Sequence, residues 1–353
     1  MTIDESFKID IVPGYDCNFR CKYCFEQLSD KNYKSISMSD DVIENTAKYI
    51  LKCNNYYKNI ILLSVFGGEP LLHTDIIDKI MDKLHYYNRL ILITNGTLID
   101  QRKNWLLDIR QKLYGNIFIN ISYDYSLQDI NRQKGTYDLV RENIRWLYRN
   151  NFDIKTISVI PRGFIPQIFD IFLDFYELSK EIPRLKFSYN IDRVNASGTT
   201  FDFEKSETGL KKLNEYIVKN NLWKLVSYNA SCGYRNDRHP LCVWGNVHSV
   251  IDIDGSIYPS YNVVFEPEIK RKMMYLGNVN EDFRSLMVRR KELFSMLNFD
   301  VGKKCDECGI ACRVQPWRTI KNDISEFNGM PNEEHCIIHK LLAKYLTNGP
   351  LKC

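Results

Sequence analysis

Several classes of protein are excluded by what this 353-residue chain does not contain. No apolar run reaches the roughly 20 residues of a membrane span, and the opening Met1-Thr2-Ile3-Asp4-Glu5 is not a secretory signal. A cytoplasmic location with no membrane partner is the expectation. No low-complexity segment argues for disorder, and 44% hydrophobic with 26% charged residues are globular values. There is no basic stripe: the net charge of +4 comes from dispersed lysines and arginines, which argues against a nucleic-acid partner. No cysteine lies between Cys53 and Cys232, although the chain has 11. An odd number at short spacings is metal ligation rather than a disulfide framework. Cys17, Cys21, Cys24 and Cys53 fall in the first sixth; Cys232, Cys242, Cys305, Cys308, Cys312, Cys336 and Cys353 fall in the last third or so. Two metal centres on two domains would give that pattern, with residues 1–225 and 226–353 as the expected division, a large domain and a smaller one.

Strand-like and helix-like runs alternate from residue 9 to about 190. The strand candidates are Ile9–Val12, Ile60–Phe66, Leu90–Thr94, Ile117–Ser122, Thr156–Ile160 and Leu185–Tyr189, short and rich in Ile and Val. Segments such as Asp41–Lys52 and Asp75–Tyr86 space their apolar residues helically. Such alternation implies a parallel sheet with helical crossovers. Six units fit an α/β fold of the partial (β/α)6, TIM-like barrel kind. Chemistry on such barrels sits just after the strands.

The most informative stretch follows the first strand: Cys17-Asn18-Phe19-Arg20-Cys21-Lys22-Tyr23-Cys24. A structural zinc site uses four protein ligands. A [4Fe–4S] cluster takes one cysteine per iron, so three cysteines leave one iron open to a substrate or cofactor. Half of a zinc ribbon, or thiols on a surface loop, is the plainer alternative. After the second strand comes Ser64-Val65-Phe66-Gly67-Gly68-Glu69-Pro70, where two glycines let the backbone approach a ligand. Thr94-Asn95-Gly96-Thr97 ends the third strand with a common turn signal. Ser122-Tyr123-Asp124 ends the fourth, with Asp129 and Arg132 beyond it.

The cysteine stretch resembles the CxxxCx(aromatic)C signature of radical S-adenosylmethionine (SAM) enzymes, with Tyr23 as the aromatic. The resemblance implies a [4Fe–4S] cluster on Cys17, Cys21 and Cys24, with SAM chelated at the open iron. It implies reductive cleavage of SAM to a 5′-deoxyadenosyl radical that takes hydrogen from the substrate. Gly67, Gly68 and Glu69 match the family's GGEP loop at the SAM amino group, Asn95 its TNG turn, and Ser122 its SxDG segment facing the ribose or carboxylate. Tyr125 stands where that segment has glycine, so a different local backbone is an expectation. Arg132 fits the DxxR that pairs with a carboxylate; a solvated surface pair with Asp129 is the alternative. Asp124 is a candidate catalytic acid or base by position only.

The tail resembles the SPASM or twitch extension of that superfamily. Cys242 opens a segment that reads as a β-hairpin around Asp254-Gly255. Ser260 stands where a second cysteine belongs, and Leu276-Gly277-Asn278-Val279 matches the extension's LGN(I/V) turn. Cys305, Cys308, Cys312 and Cys336 are the expected ligands of one auxiliary [4Fe–4S] cluster, with Cys242 as a substitute ligand or a remnant of a first site. Zinc on Cys305, Cys308, Cys312 and either Cys336 or His339 is the alternative. Enzymes with this extension mostly modify peptides or proteins, so the resemblance implies a peptide maturase that crosslinks, oxidises or epimerises a side chain. It would use a flavodoxin- or ferredoxin-type reductant. A small-molecule dehydrogenase and a zinc-stabilised, non-catalytic binding protein are the alternatives. Only 16 residues precede Cys17, so a leader peptide would be expected to dock elsewhere or on a partner.

Overall fold

Each of the six apolar runs contains strand residues, and those strands lie side by side in chain order. A computed structural model describes residues 7–24, 37–57, 62–84, 89–192, 197–228, 248–264, 268–296 and 333–346. Strands β1 (Lys8–Ile11), β2 (Leu62–Val65), β3 (Arg89–Thr94), β4 (Ile117–Ser122), β5 (Asp153–Ile160), β6 (Phe187–Ile191) and β7 (Val226–Tyr228) pair in parallel. Helices α1 (Asp40–Tyr57), α2 (Thr74–Leu84), α3 (Lys103–Lys112), α4 (Gln128–Asn131), α5 (Tyr137–Arg149), α6 (Ile168–Glu181) and α7 (Phe203–Lys219) alternate with them. Later come β8 (His248–Ile251), β9 (Ser256–Tyr258), α8 (Tyr261–Val264), α9 (Glu268–Met273), β10 (Gly277–Asn278), α10 (Phe283–Met296) and α11 (Glu333–Leu346).

Side-chain alternation sorts each strand into two faces. Ile11, Leu63, Val65 and Leu90 enclose a small apolar gap with Ile77, Ile80 and Met81 of α2. Ile9, Leu92, Ile117, Ile119 and Ile121 are likewise buried. Burial of each such side chain contributes roughly 1.5–3 kcal/mol. The face away from the helices carries Ser64, Ile91 and Phe118 in one row and Ile93 and Asn120 in the next, as the register requires. Asn120 and Ser122 are half-buried there. The parallel strands all point their C-terminal ends the same way, and the motif loops gather at that end.

The sheet continues beyond residue 225 at both edges. β7 extends it past β6, and β8 runs parallel to β1 with Lys8 opposite His248 and Ile11 opposite Ile251. β9 returns antiparallel to β8 through the expected Asp254–Gly255 turn, with Gly255 at φ +81°, and β10 adds a further pair. The β1–β8 seam is closed by a buried ionic cluster: Lys8 Nζ lies 2.7 Å from Asp10 Oδ1, and His248 Nε2 lies 2.7 Å from Asp10 Oδ2. Burial alone would raise the Asp10 carboxyl, but Lys8 and His248 outweigh it and hold the group well below the usual range. Arg290 of α10 donates to the His248 carbonyl at 2.7 Å. Helix α11 docks on α7, where Asn214 Nδ2 donates to the Tyr345 carbonyl at 2.6 Å and Lys344 pairs with Glu207 at 2.7 Å. Among the described residues no helix is long and apolar enough to cross a membrane.

Candidate active site

The cysteine loop, residues 17–24, is bound to the ends of several strands at once. Glu69 N–H donates to the Asp16 carbonyl at 2.7 Å, tying the loop to the end of β2. Asn18 bridges to the end of β3: Asn95 Nδ2 donates to Asn18 Oδ1 at 2.8 Å, and Asn18 Nδ2 donates to Thr97 Oγ1 at 2.9 Å. Lys22 N–H donates to the Asn131 carbonyl at 2.9 Å, at the end of α4. Tyr23 O–H donates to Asp124 Oδ2 at 2.5 Å, just beyond β4. Tyr15, before the loop, bonds to Asp252 in the β8–β9 turn. Cys17, Cys21 and Cys24 are all partly exposed. Among the described residues, Phe19 N–H lies 3.4 Å from Cys17 Sγ and Arg132 Nη1 lies 3.7 Å from Cys21 Sγ.

The double-glycine loop owes its path to its size. A methyl group at Gly68 would sit 2.1 Å from the Asp16 carbonyl oxygen, so only glycine lets β2's loop lie this close to the cysteine loop. Glu69, next in sequence, is fully buried. Its Oε1 accepts from Leu71 N–H at 3.0 Å and Thr94 O–H at 2.7 Å, and its Oε2 accepts from Asn95 N–H at 2.7 Å. Burial pushes its carboxyl above the usual range, while those three donors pull the other way without overcoming it. Asn95 is equally committed, because its Oδ1 accepts from both the N–H and the O–H of Thr97.

Past β4 the chain turns at Tyr125, the position where the resemblance leads one to expect glycine. Tyr125 has φ +53°, so the backbone is left-handed with a tyrosine in place. That conformation costs a non-glycine residue roughly 1–2 kcal/mol. Offsetting it, the Tyr125 hydroxyl lies 2.6 Å from Thr156 Oγ1, and its ring packs edge-on to Phe175 of α6. The residue before it, Asp124, is fully buried. Its Oδ1 accepts from Val159 N–H at 2.9 Å and Arg132 Nη2 at 3.5 Å. Arg132 Nε is 3.2 Å from Oδ2, a charge contact without hydrogen-bond alignment. The guanidinium also lies over the Tyr23 ring, 5.3 Å from its centroid. Desolvation would ease the proton off Arg132, but Asp124 outweighs it and the group stays cationic. Ser122 is half-buried on the open face and makes no side-chain hydrogen bond among the described residues.

No three His, Cys, Asp or Glu side chains among the described residues converge tightly enough to chelate one metal ion. A cubane cluster does not need that convergence, because each cysteine binds a different iron. Three partly exposed cysteines on one loop, two of them facing N–H donors, are a donor set that fits such a cluster.

The Radical SAM superfamily model matches residues 11–176. The chain carries a radical SAM domain. The cysteine-type anaerobic sulfatase-maturating enzyme of Clostridium novyi (strain NT) is 25% identical over 329 residues, covering 83% of this chain and 82% of that one. The structure called native anSMEcpe with bound AdoMet and Cp18Cys peptide superposes with a TM-score of 0.71 at 19% identity, over 96% of both chains. Streptococcus suis SuiB bound to precursor peptide SuiA gives 0.66 at 14% identity, over 94% of this chain and 76% of that one. The fold is therefore that of radical SAM enzymes, and the family implies a [4Fe–4S] cluster and SAM.

The radical SAM domain brings Cys17, Cys21, Cys24, Tyr23, Gly67, Gly68, Glu69, Asn95, Asp124 and Arg132 into one connected region, with Ser122 at the same end of the sheet. Arg132 is not the solvated partner of Asp129, whose Oδ1 instead accepts from Thr136 and Tyr137 N–H. Cys336 lies on α11, two residues from Glu334, whose carboxylate pairs with Arg162 just after β5. Cys242, Cys305, Cys308 and Cys312 lie outside the described residues. Sequence reasoning missed Asn18 and Gln128. Asn18 sits between Cys17 and Cys21 at a position the cysteine spacing does not specify, so its signal was a short polar side chain. Gln128 Oε1 accepts from Asp124 N–H at 3.0 Å, a contact four residues away that a turn at Tyr125 makes possible.

Proposed function

We propose that the protein is a radical SAM maturase that modifies a side chain of a peptide or protein. The observation that carries this reading is the three-cysteine loop seated at the C-terminal ends of β2, β3 and β4, in a sheet of the same fold as two peptide-bound structures. When bound, the cluster and SAM supply a carbon-centred radical that removes hydrogen from the substrate. Cys17, Cys21 and Cys24 hold the cluster in this reading. Gly67 and Gly68 offer bare backbone to the SAM ammonium group, and the uncommitted Ser122 hydroxyl meets the ribose or carboxylate. Arg132 has five N–H donors, so donors remain for a SAM carboxylate after Asp124 and Cys21 are served. Tyr23, Glu69 and Asn95 act by holding the loops that shape the pocket. Asp124 does the same; for it to move a proton, its contacts with Arg132 and Tyr23 would first have to open.

The finer assignments follow the same reading. Residues 1–225 form the radical-generating unit and residues 226–353 a SPASM/twitch-like unit. The latter binds one auxiliary [4Fe–4S] cluster on Cys305, Cys308, Cys312 and Cys336, with Cys242 as substitute ligand. Cys336 supports this, because its helix is pinned by Glu334 to Arg162 at the end of β5, on the side where the motif loops gather. A flavodoxin- or ferredoxin-type protein in the cytoplasm delivers the electron. The test is anaerobic reconstitution with iron, sulfide, dithionite and SAM, followed by mass analysis of peptides encoded beside the gene. The expected result is 5′-deoxyadenosine together with a peptide whose mass changes by hydrogens. Deoxyadenosine with every peptide unchanged, and a small alcohol or amine oxidised instead, would contradict the maturase reading.

A further inference from the structure

We infer that Arg132 is a positioning residue that raises the reduction potential of the N-terminal cluster through a charge-assisted N–H···S contact to Cys21. The inference rests on the reading that Cys21 is a cluster ligand. Arg132 Nη1 is 3.7 Å from Cys21 Sγ, and the arginine side chain is only 7% exposed. Burial matters because a cation screened by water would have little effect on a nearby sulfur, whereas one in a low-dielectric pocket keeps most of its field. Hydrogen bonds to the sulfurs and local charge are the main protein levers on a cluster's potential.

The geometry separates this role from simple anchoring. The cysteine loop already has a backbone tie to the same region, Lys22 N–H to the Asn131 carbonyl, and a side-chain tie, Tyr23 to Asp124. Neither needs a guanidinium. What Arg132 adds is positive charge at a ligand sulfur. Asp124 pairs with the guanidinium, the Tyr23 ring lies against it, and Nη1 faces Cys21. On reduction the cluster accepts one electron from an external low-potential donor, and no bond in the protein forms or breaks. An N–H cation beside Cys21 stabilises the state with the extra negative charge and makes that electron easier to deliver.

The test compares wild type with Arg132→Gln, Arg132→Lys, Asp124→Asn and Tyr23→Phe, each reconstituted anaerobically. Iron per chain is measured first, then the reduction potential by electron paramagnetic resonance. The expected result is a more negative potential in Arg132→Gln, partial recovery in Arg132→Lys, and a less negative potential in Asp124→Asn. Tyr23→Phe, which loses only the hydroxyl to Asp124, should stay close to wild type. Should Arg132→Gln fail to fold, the opposite shifts of Arg132→Lys and Asp124→Asn decide the matter. Full iron with an unchanged potential in both arginine variants would overturn the inference, as would a Tyr23→Phe shift equal to that of Arg132→Gln. A Cys21→Ala protein that kept the complete wild-type cluster would instead overturn the ligand assignment beneath it.

Discussion

Glu69 and Asp124 are two fully buried carboxylates at the ends of β2 and β4, and both hold the cysteine loop's surroundings in place. They are satisfied in different ways. Among the described residues the hydrogen-bond donors to Glu69 are neutral, two backbone N–H groups and a threonine hydroxyl, and the Arg132 charge acts on it without a hydrogen bond. Burial therefore keeps its carboxyl above the usual range. Asp124 gathers a cation, a tyrosine hydroxyl and one backbone N–H. The first arrangement is a knot that fixes the path of two loops. The second also places a charge, and that charge ends at a cysteine sulfur. Two residues of similar chemistry at equivalent strand ends thus do different work, and the difference comes from the donors around them.

The comparison loses its meaning if the loop between these carboxylates holds no cluster. Cys24→Ala should therefore have the largest effect: loss of about four iron atoms per chain and no 5′-deoxyadenosine, measured by iron assay and chromatography. Retained SAM cleavage in that variant would end the comparison. Next is Asp124→Ala, which strands Arg132 without its partner. Removing one member of a buried ion pair costs about 3–5 kcal/mol, to be read from urea unfolding of the metal-free protein. Glu69→Gln keeps the size but turns one acceptor into a donor facing Asn95 N–H. The expected loss is about 1–3 kcal/mol, smaller than for Asp124→Ala by the same measurement; an equal loss would mean that charge does not distinguish the two sites. Smallest is Tyr125→Phe, which keeps the ring and the left-handed backbone but drops the bond to Thr156. It should cost about 1 kcal/mol, and a larger loss would show that the hydroxyl, not the ring, holds the turn beside Asp124.

Much of the site was legible because its signals are local. The cysteine spacing, the double glycine and the Asn-Gly turn each sit within a few residues, directly after an apolar strand, and each lies where the alternation placed it. The strand positions were also legible, though not their ends. β5 begins at Asp153, three residues earlier than the apolar run, because Phe118 of β4 pairs with it; Asp and Lys are poor strand formers by composition alone. Long-range partners were not legible. Tyr23 and Asp124 are 101 residues apart, and β8 finds the free edge of β1 some 240 residues away. A four-residue strand carries too little pattern to name its neighbour. The Tyr125 turn was half legible: the departure from glycine was visible, but not that buried aromatic packing would keep the left-handed backbone that glycine normally supplies.

The central claim is that three cysteines hold a cubane and leave one iron to SAM. Mössbauer spectroscopy of anaerobically reconstituted, iron-57-labelled protein, with and without SAM, tests it most directly. The account predicts that SAM changes the signal of one iron in the N-terminal cluster and that this change is absent in Cys24→Ala. Spectra identical with and without SAM, in a protein that holds its full iron, would contradict it.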